Sequence, residues 1–239
     1  MEKILNKPTP LQKKPNPTLY EQAAWKKQAY VCGIDEVGRG CLAGPVVTAA
    51  VVLFPFSSHP LLKDSKILTE NKRVKATEWI IENSWFSYGI VDSHEIDRVN
   101  IYQATKIAMK QALYGLYSVL PAAMYPELIV IDAMPLQVPF LPSAPEILSF
   151  PYGESRSISI AAASILAKVK RDELISRLER SFPSYTLSSH KGYATDKHQQ
   201  EVGTHGASLL HRTTFLKNFI TQERNVDESS SDKQTSLFC

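Results

Sequence analysis

The chain has 239 residues, 44% of them hydrophobic, with 27 Lys and Arg against 24 Asp and Glu, a formal net charge of +3. That length suits one domain with appendages and allows a real core, and a global charge this small does not by itself announce an acidic partner. Cys32, Cys41 and Cys239 have neither metal-ligand nor redox spacing, and their odd number argues against a disulfide framework and fits a reducing, cytoplasmic compartment; the N-terminus lacks the apolar run of a signal peptide, and the longest apolar stretch, 43–56, is interrupted by Pro45, Thr48 and Pro55 and too short to span a bilayer.

Residues before Thr18 are rich in Pro, Lys and Asn and read as a flexible basic arm. Thr18 is placed to cap a short helix through Gln28, with Leu19, Ala23 and Lys26 near one face. Tyr30 to Ile34 reads as a strand that delivers Asp35 and Glu36 at its end. Val46 to Phe54, rich in β-branched residues, reads as a second, largely buried strand. A helix starting at Ser65 or Thr69 runs towards Ile81, and Trp85 to Val91 alternates as a third strand. Ser93 and Glu95 open one long helix whose Ile101, Ala104, Ala108, Ala112 and Leu116 face the core. Leu128 to Ile131 is a short buried strand ending at Asp132, a proline-rich loop follows, and Ile147 to Phe150 forms a last strand. Ile158, Ala161, Ala162, Ile165 and Val169 mark a helix with small residues for close packing. Beyond Pro183 come loops and short helices, and from Glu223 a polar, serine-rich tail. The organisation expected is a basic arm with a short helix over 1–28, an α/β domain over 29–182, a small helical extension over 183–222 and a disordered tail over 223–239.

The stretch Gly33-Ile34-Asp35-Glu36-Val37-Gly38-Arg39-Gly40 carries the chemistry. Adjacent carboxylates raise each other's pKa, so they are expensive unless a cation neutralises them. A hard divalent metal does so through oxygen ligands. The glycines let backbone approach a ligand, and Arg39 offers a fork for phosphate. An acidic metal pair beside a cationic clamp is what phosphodiester hydrolysis needs. Taken alone, the octapeptide is equally compatible with an exposed turn carrying two solvated acids.

The run continues into Cys41-Leu42-Ala43-Gly44-Pro45-Val46-Val47. It is joined by Asp64-Ser65-Lys66, by Asp132, by the run from Ser159 to Lys168, by Arg171-Asp172, and by His190-Lys191-Gly192-Tyr193. The last blocks are His205-Gly206 and His211-Arg212. Together, over about Tyr30 to Phe215, these blocks resemble bacterial ribonuclease HII, the type 2 ribonuclease H. Val37 and Arg39 stand where the sister type, ribonuclease HIII, usually has a serine and a lysine. The resemblance implies a ribonuclease H-like fold: a mixed five-stranded sheet flanked by helices, the first three strands antiparallel and the fourth parallel beside the first. It implies Asp35, Glu36 and Asp132 as metal ligands for Mn²⁺ or Mg²⁺. Glu154, in Tyr152-Gly153-Glu154, stands where the family has Lys-Gly-Asp and is expected as the fourth catalytic acid; its rival Asp172 is expected to be structural. Gly38, Arg39 and Gly40 are implied as readers of the ribose 2′-hydroxyl, Tyr193 as the ring that packs on the sugar, and Lys66 as a phosphate contact. Lys168 and His190 are weaker candidates for backbone contact, and His205 and His211 are expected to be structural.

The implied partners are RNA/DNA hybrid and ribonucleotide-containing duplex DNA, with cleavage 5′ of the ribonucleotide. A monomer is expected. A ribonuclease HIII-like preference for ribonucleotide runs, a DNA-directed nuclease of the same fold and a non-catalytic hybrid-binding module are the alternatives. Finally, the tail Gln234-Thr235-Ser236-Leu237-Phe238 resembles the short peptide by which repair proteins bind the bacterial sliding clamp, an apolar pair on a flexible tether.

Overall fold

The computed structural model describes residues 16–217. The tail from Gln234 to Phe238, the basic arm and the last residues of the expected C-terminal extension lie outside them. Five strands form one sheet, β1 (Val31–Val37), β2 (Val46–Leu53), β3 (Ser84–Val91), β4 (Leu128–Asp132) and β5 (Glu146–Phe150), in the order β3-β2-β1-β4-β5. β1 pairs antiparallel with β2, and β2 with β3, while β4 lies parallel to both β1 and β5. This is the mixed sheet that the resemblance implied.

Every residue of β2 is buried, because helices cover both faces of the sheet centre. Val47, Ala49, Val51 and Leu53 pack against α2 (Glu70–Glu82) and α5 (Ile158–Leu178). Ala50 and Val52 point the other way, to Met109, Ala112, Leu113 and Leu116 of α4 (Ile101–Val119). The period of two divides one strand between two cores. Among the described residues no helix is long and apolar enough to cross a membrane.

Three elements differ from expectation. The helix expected from Ser93 is two: α3 (Ser93–Val99) and α4, broken at Asn100. Asn100 takes φ 69°, which stops α3, and its side chain accepts from Gln103 N to start α4. The cap of α3 is Asp92, accepting from Glu95 N. In α1 (Leu19–Trp25) the buried residues are Tyr20, Glu21, Ala24 and Trp25, so the stripe expected from Leu19, Ala23 and Lys26 is the outer side. Tyr20 stacks on Phe150 at 5.2 Å, and Glu21 accepts from Ser157 Oγ and Ser159 N at the start of α5. A buried glutamate serving as a cap for another helix defeats a reading based on apolar periodicity. Third, β1 does not stop at Ile34 but runs through both acids to Val37.

The register explains why that matters. The ladder of β1 with β2 continues to Val37 opposite Val47, whereas the parallel ladder with β4 ends at Ile34 opposite Ile131. From Asp35 onward β1 is held on one side only. Gly33 lies opposite Val130, so Asp35 and Asp132, each two residues further on, emerge on the same face where the two strands part.

Candidate active site

That parting is the floor of a cleft of about 130 Å³ lined by Asp35, Glu36, Val37, Ser65, Lys66, Asp132, Glu154, Ser164, Lys168 and Tyr193. It has room for ions, water and one phosphate group, but not for a nucleotide, since small-molecule pockets run from roughly 300 Å³ upward. A polymeric substrate must therefore lie across the surface and present one linkage to the acids.

Three elements bring the four acids together. β1 supplies Asp35 and Glu36, and β4 supplies Asp132. Glu154 comes from a one-turn 3-10 helix, Gly153–Ser155, just before α5. Donors of the protein hold three of them. Asp35 Oδ1 accepts from Glu36 N at 2.7 Å, Asp132 Oδ1 from Gly153 N at 2.8 Å, and Glu154 Oε1 from Ser164 Oγ at 2.6 Å. Ser164 also meets Ser65 Oγ at 2.8 Å, which ties α5 to the turn carrying Lys66. Glu36 is the exception: Oε1 faces Arg39 at 3.4 Å, and Oε2 is buried with no partner.

Burial first, then the neighbouring charges of Glu36, Glu154 and Asp132, pushes the Asp35 carboxyl well above the usual range. Burial likewise raises Glu36, against the attraction of Arg39, and raises Glu154, against the Ser164 hydrogen bond. For Lys66, partial burial works against the charge, but Glu154, Asp64, Asp35 and Asp132 outweigh it and hold the ammonium more firmly protonated. The cleft thus has an excess of negative charge that its own cations do not cancel.

A divalent cation fits this donor set. All candidate ligands are carboxylate oxygens, the preference of Mg²⁺ and Mn²⁺, and the orphaned Glu36 oxygen is a buried acceptor lacking a positive partner. As placed, though, no three His, Cys, Asp or Glu side chains among the described residues close on a common point. Glu154 in particular is turned into Ser164.

Asp172 is not among the cleft residues; it pairs with Lys168 at 2.9 Å. Gly38, Arg39 and Gly40 stand on the rim, following Val37, and Gly38 has φ +92°. Tyr193 is partly exposed, with Lys168 Nζ 5.4 Å and the Arg171 guanidinium 5.6 Å from its ring centre. Sequence reasoning gave Ser164 no role, and Ser65 only that of a possible helix start, whereas the helix begins after Thr69. The available signal was a serine on the buried face of an otherwise Ala- and Ile-rich helix, where a hydroxyl needs a partner.

His190 does not face solvent; it is a buried member of a histidine chain behind Tyr193. Gly192 N donates to His190 Nδ1, so His190 Nε2–H donates to Glu201 at 3.1 Å. Ser208 N donates to His211 Nδ1, so His211 Nε2–H points at His198 Nε2, 3.0 Å away, and His198 Nδ1–H at the Tyr193 carbonyl, 2.8 Å away. The geometry needs every ring neutral. Burial lowers all three pKa values, that of His211 to about 4. An unfolded histidine titrates near about 6.5, so the unfolded chain takes up protons first and this contribution to stability is lost as pH falls from there through about 4. We expect the His211 ring signals at pH 5.5 to keep their neutral-form shifts by NMR; protonation near pH 6.5 would contradict this arrangement.

The profile of the family described as Ribonuclease HII matches residues 32–218. A Ribonuclease HII of Levilactobacillus brevis is 41% identical over 197 residues, covering 82% of this chain and 72% of that protein. The ribonuclease HII in the PCNA complex from Archaeoglobus fulgidus is structurally similar, with a TM-score of 0.58 at 24% identity over 77% of this chain and 94% of that one. Bst-RNase HIII, solved in complex with Mn²⁺, gives 0.55 at 20% identity over 80% of this chain and 69% of that one. At those identities the two structures speak for the fold alone.

Proposed function

The chain belongs to the ribonuclease HII family, metal-dependent endonucleases that act on RNA/DNA hybrids, and from that premise we propose that it also cuts duplex DNA on the 5′ side of a single embedded ribonucleotide, leaving 5′-phosphate and 3′-hydroxyl ends. The observation that carries the reading is the convergence of Asp35, Glu36, Asp132 and Glu154 in one cleft whose other walls are Lys66, Lys168 and Tyr193.

In this reading Asp35, Glu36 and Asp132 hold Mn²⁺ or Mg²⁺, with Glu154 as the fourth acid. Two bound ions would supply an ionised water at neutral pH and charge stabilisation at the leaving 3′-oxygen. The remaining tasks belong to side chains. Lys66 and Lys168 line the same cleft and would offer positive charge to the phosphate. Arg39 is held against Glu36 and can swing to a phosphate oxygen once Glu36 is neutralised. The Tyr193 ring, backed by Lys168 and Arg171, offers a flat surface to a sugar. The rim loop Gly38–Gly40 reads the 2′-hydroxyl, which only a ribonucleotide carries.

Duplex DNA holding one ribonucleotide, incubated with the protein and Mg²⁺ or Mn²⁺, is expected to be cut at a single position 5′ of that residue. Tyr193→Ala should lower kcat/KM for this cut by about 10- to 100-fold, the order of a lost aromatic contact to a nucleotide. Its affinity for an all-DNA duplex, which rests on phosphate contacts, should change less than about twofold. Equal cleavage of the all-DNA duplex would overturn the ribose-reading role. Cutting confined to ribonucleotide runs would indicate the ribonuclease HIII-like specificity instead.

A further inference from the structure

Two arginines behind the rim loop, Arg171 and Arg212, are fully buried, each 0% exposed, and among the described residues neither has a carboxylate partner within ion-pair distance. Burying an unpaired charge is costly, so their partners are informative. All of their side-chain hydrogen-bond partners are backbone carbonyls. Arg212 Nη2 donates to Gly38 O at 2.6 Å and Gly44 O at 2.9 Å, its Nη1 to Arg39 O at 2.8 Å and its Nε to Gly44 O at 3.2 Å. Arg171 takes Pro45 O, Ala43 O and Lys191 O. The main chain adds to the tie: Arg212 N donates to Leu42 O, and Gly44 N to Leu210 O.

A peptide unit is planar and trans, so the N–H of one residue points opposite to the carbonyl of the residue before it. With the carbonyls of Gly38 and Arg39 drawn inward to Arg212, the N–H groups of Arg39 and Gly40 are aimed away from the interior. Neither has a backbone acceptor among the described residues. Gly38 can hold this arrangement because its φ of +92° is open to glycine. The rim therefore presents fixed donors over a buried positive charge, a setting suited to an oxygen lone pair.

We infer that Arg212 is a positioning residue for ribose recognition: by holding the carbonyls of Gly38 and Arg39 it fixes the rim loop as an N–H donor to the 2′-oxygen of the ribonucleotide. The inference rests on the junction-cutting reading above. Arg212 touches no substrate itself. A deoxyribose offers the loop no acceptor at that place, so the effect of Arg212 falls on the discrimination between the two sugars rather than on DNA affinity at large.

The test uses the Asp132→Asn protein, so that the substrate survives, and compares its Kd for a duplex with one ribonucleotide against the same sequence in all-DNA form. The parent variant should prefer the ribonucleotide duplex by about tenfold, the equivalent of one good hydrogen bond. Adding Arg212→Lys, which keeps the charge but cannot span three carbonyls, should reduce that preference to below about twofold while leaving all-DNA affinity within about threefold. A folded double variant that keeps the full preference overturns the role of Arg212 and leaves the junction reading intact. A parent variant with no preference overturns both. Should Arg212→Lys not stay folded, amide NMR of the Asp132→Asn protein decides: the Arg39 and Gly40 signals must shift with the ribonucleotide duplex and not with all-DNA, and equal shifts overturn the inference.

Discussion

Asp35→Asn is expected to abolish hybrid cleavage and, in chelator, to raise the melting temperature. The two effects have one origin. The Asp35 carboxyl is 5% exposed, and burial followed by Glu36, Glu154 and Asp132 raises its pKa well above the ordinary value. In the metal-free protein the unfolded chain gives up its proton at lower pH than the folded one. The stabilising difference is full in acid and is lost as pH rises through the folded pKa, so at neutral pH the charge works against the fold. Asparagine keeps an oxygen that can accept from Glu36 N, as Asp35 Oδ1 does at 2.7 Å, and removes the repulsion. It also removes the charge that would hold a cation. Loss of a partner outside the ligand set costs 10- to 100-fold in metal enzymes; a ligand on the sheet floor should cost at least about a thousandfold in kcat, and Asp132→Asn should match it. The checks are steady-state cleavage at saturating Mn²⁺ and melting curves in chelator. Near-normal turnover, or a lower melting temperature in chelator, would overturn the assignment. Adding Mn²⁺ should stabilise the native protein more than the variant.

Gly33→Ala is expected to be strongly destabilising. A Cβ at Gly33 would lie 2.1 Å from the Ser159 carbonyl carbon, 2.3 Å from Ile160 N and 2.4 Å from Ser159 O. These are backbone atoms in the first turn of α5, so no side chain can rotate away. The helix must lift off β1, at a cost of about 3 kcal/mol or more. α5 carries Ser164, Lys168 and Arg171, so hybrid cleavage should fall along with stability. Gly40→Ala is the control, since an added Cβ there meets nothing within 4 Å; its stability should stay within about 0.5 kcal/mol. Urea denaturation of both proteins measures the contrast. A Gly33→Ala protein within about 1 kcal/mol of the parent would mean that α5 yields far more easily than its packing implies.

What could be read from the chain alone divides along physical lines. Alternation and β-branched runs located all five strands, and the small-residue stripe of α5 announced its close approach to the sheet, seen now at Gly33. Periodicity carries no information about strand order, so the meeting of Asp35 and Asp132 came from the resemblance. Residues whose role breaks the rule of their type were read wrongly or not at all. Glu21, 1% exposed, is a charged residue on the inner face of α1, and Arg171 and Arg212 are cations that serve as scaffolding for carbonyls. Asn100 ended one helix and began another, which a continuous apolar stripe conceals.

The single-sided hold on β1 beyond Ile34 makes the sheet the ruler of the site. Adjacent strands keep a spacing of about 4.8 Å, so the distance between Asp35 and Asp132 is inherited from the ladder that ends one residue earlier, at Ile34 and Ile131, and not from any loop. Glu154 is mounted differently, on a single turn tethered by Ser164. The fold therefore separates a rigid pair of acids from an adjustable one. A change of acid length at that third mounting should therefore alter ion preference while the inner pair stays in register.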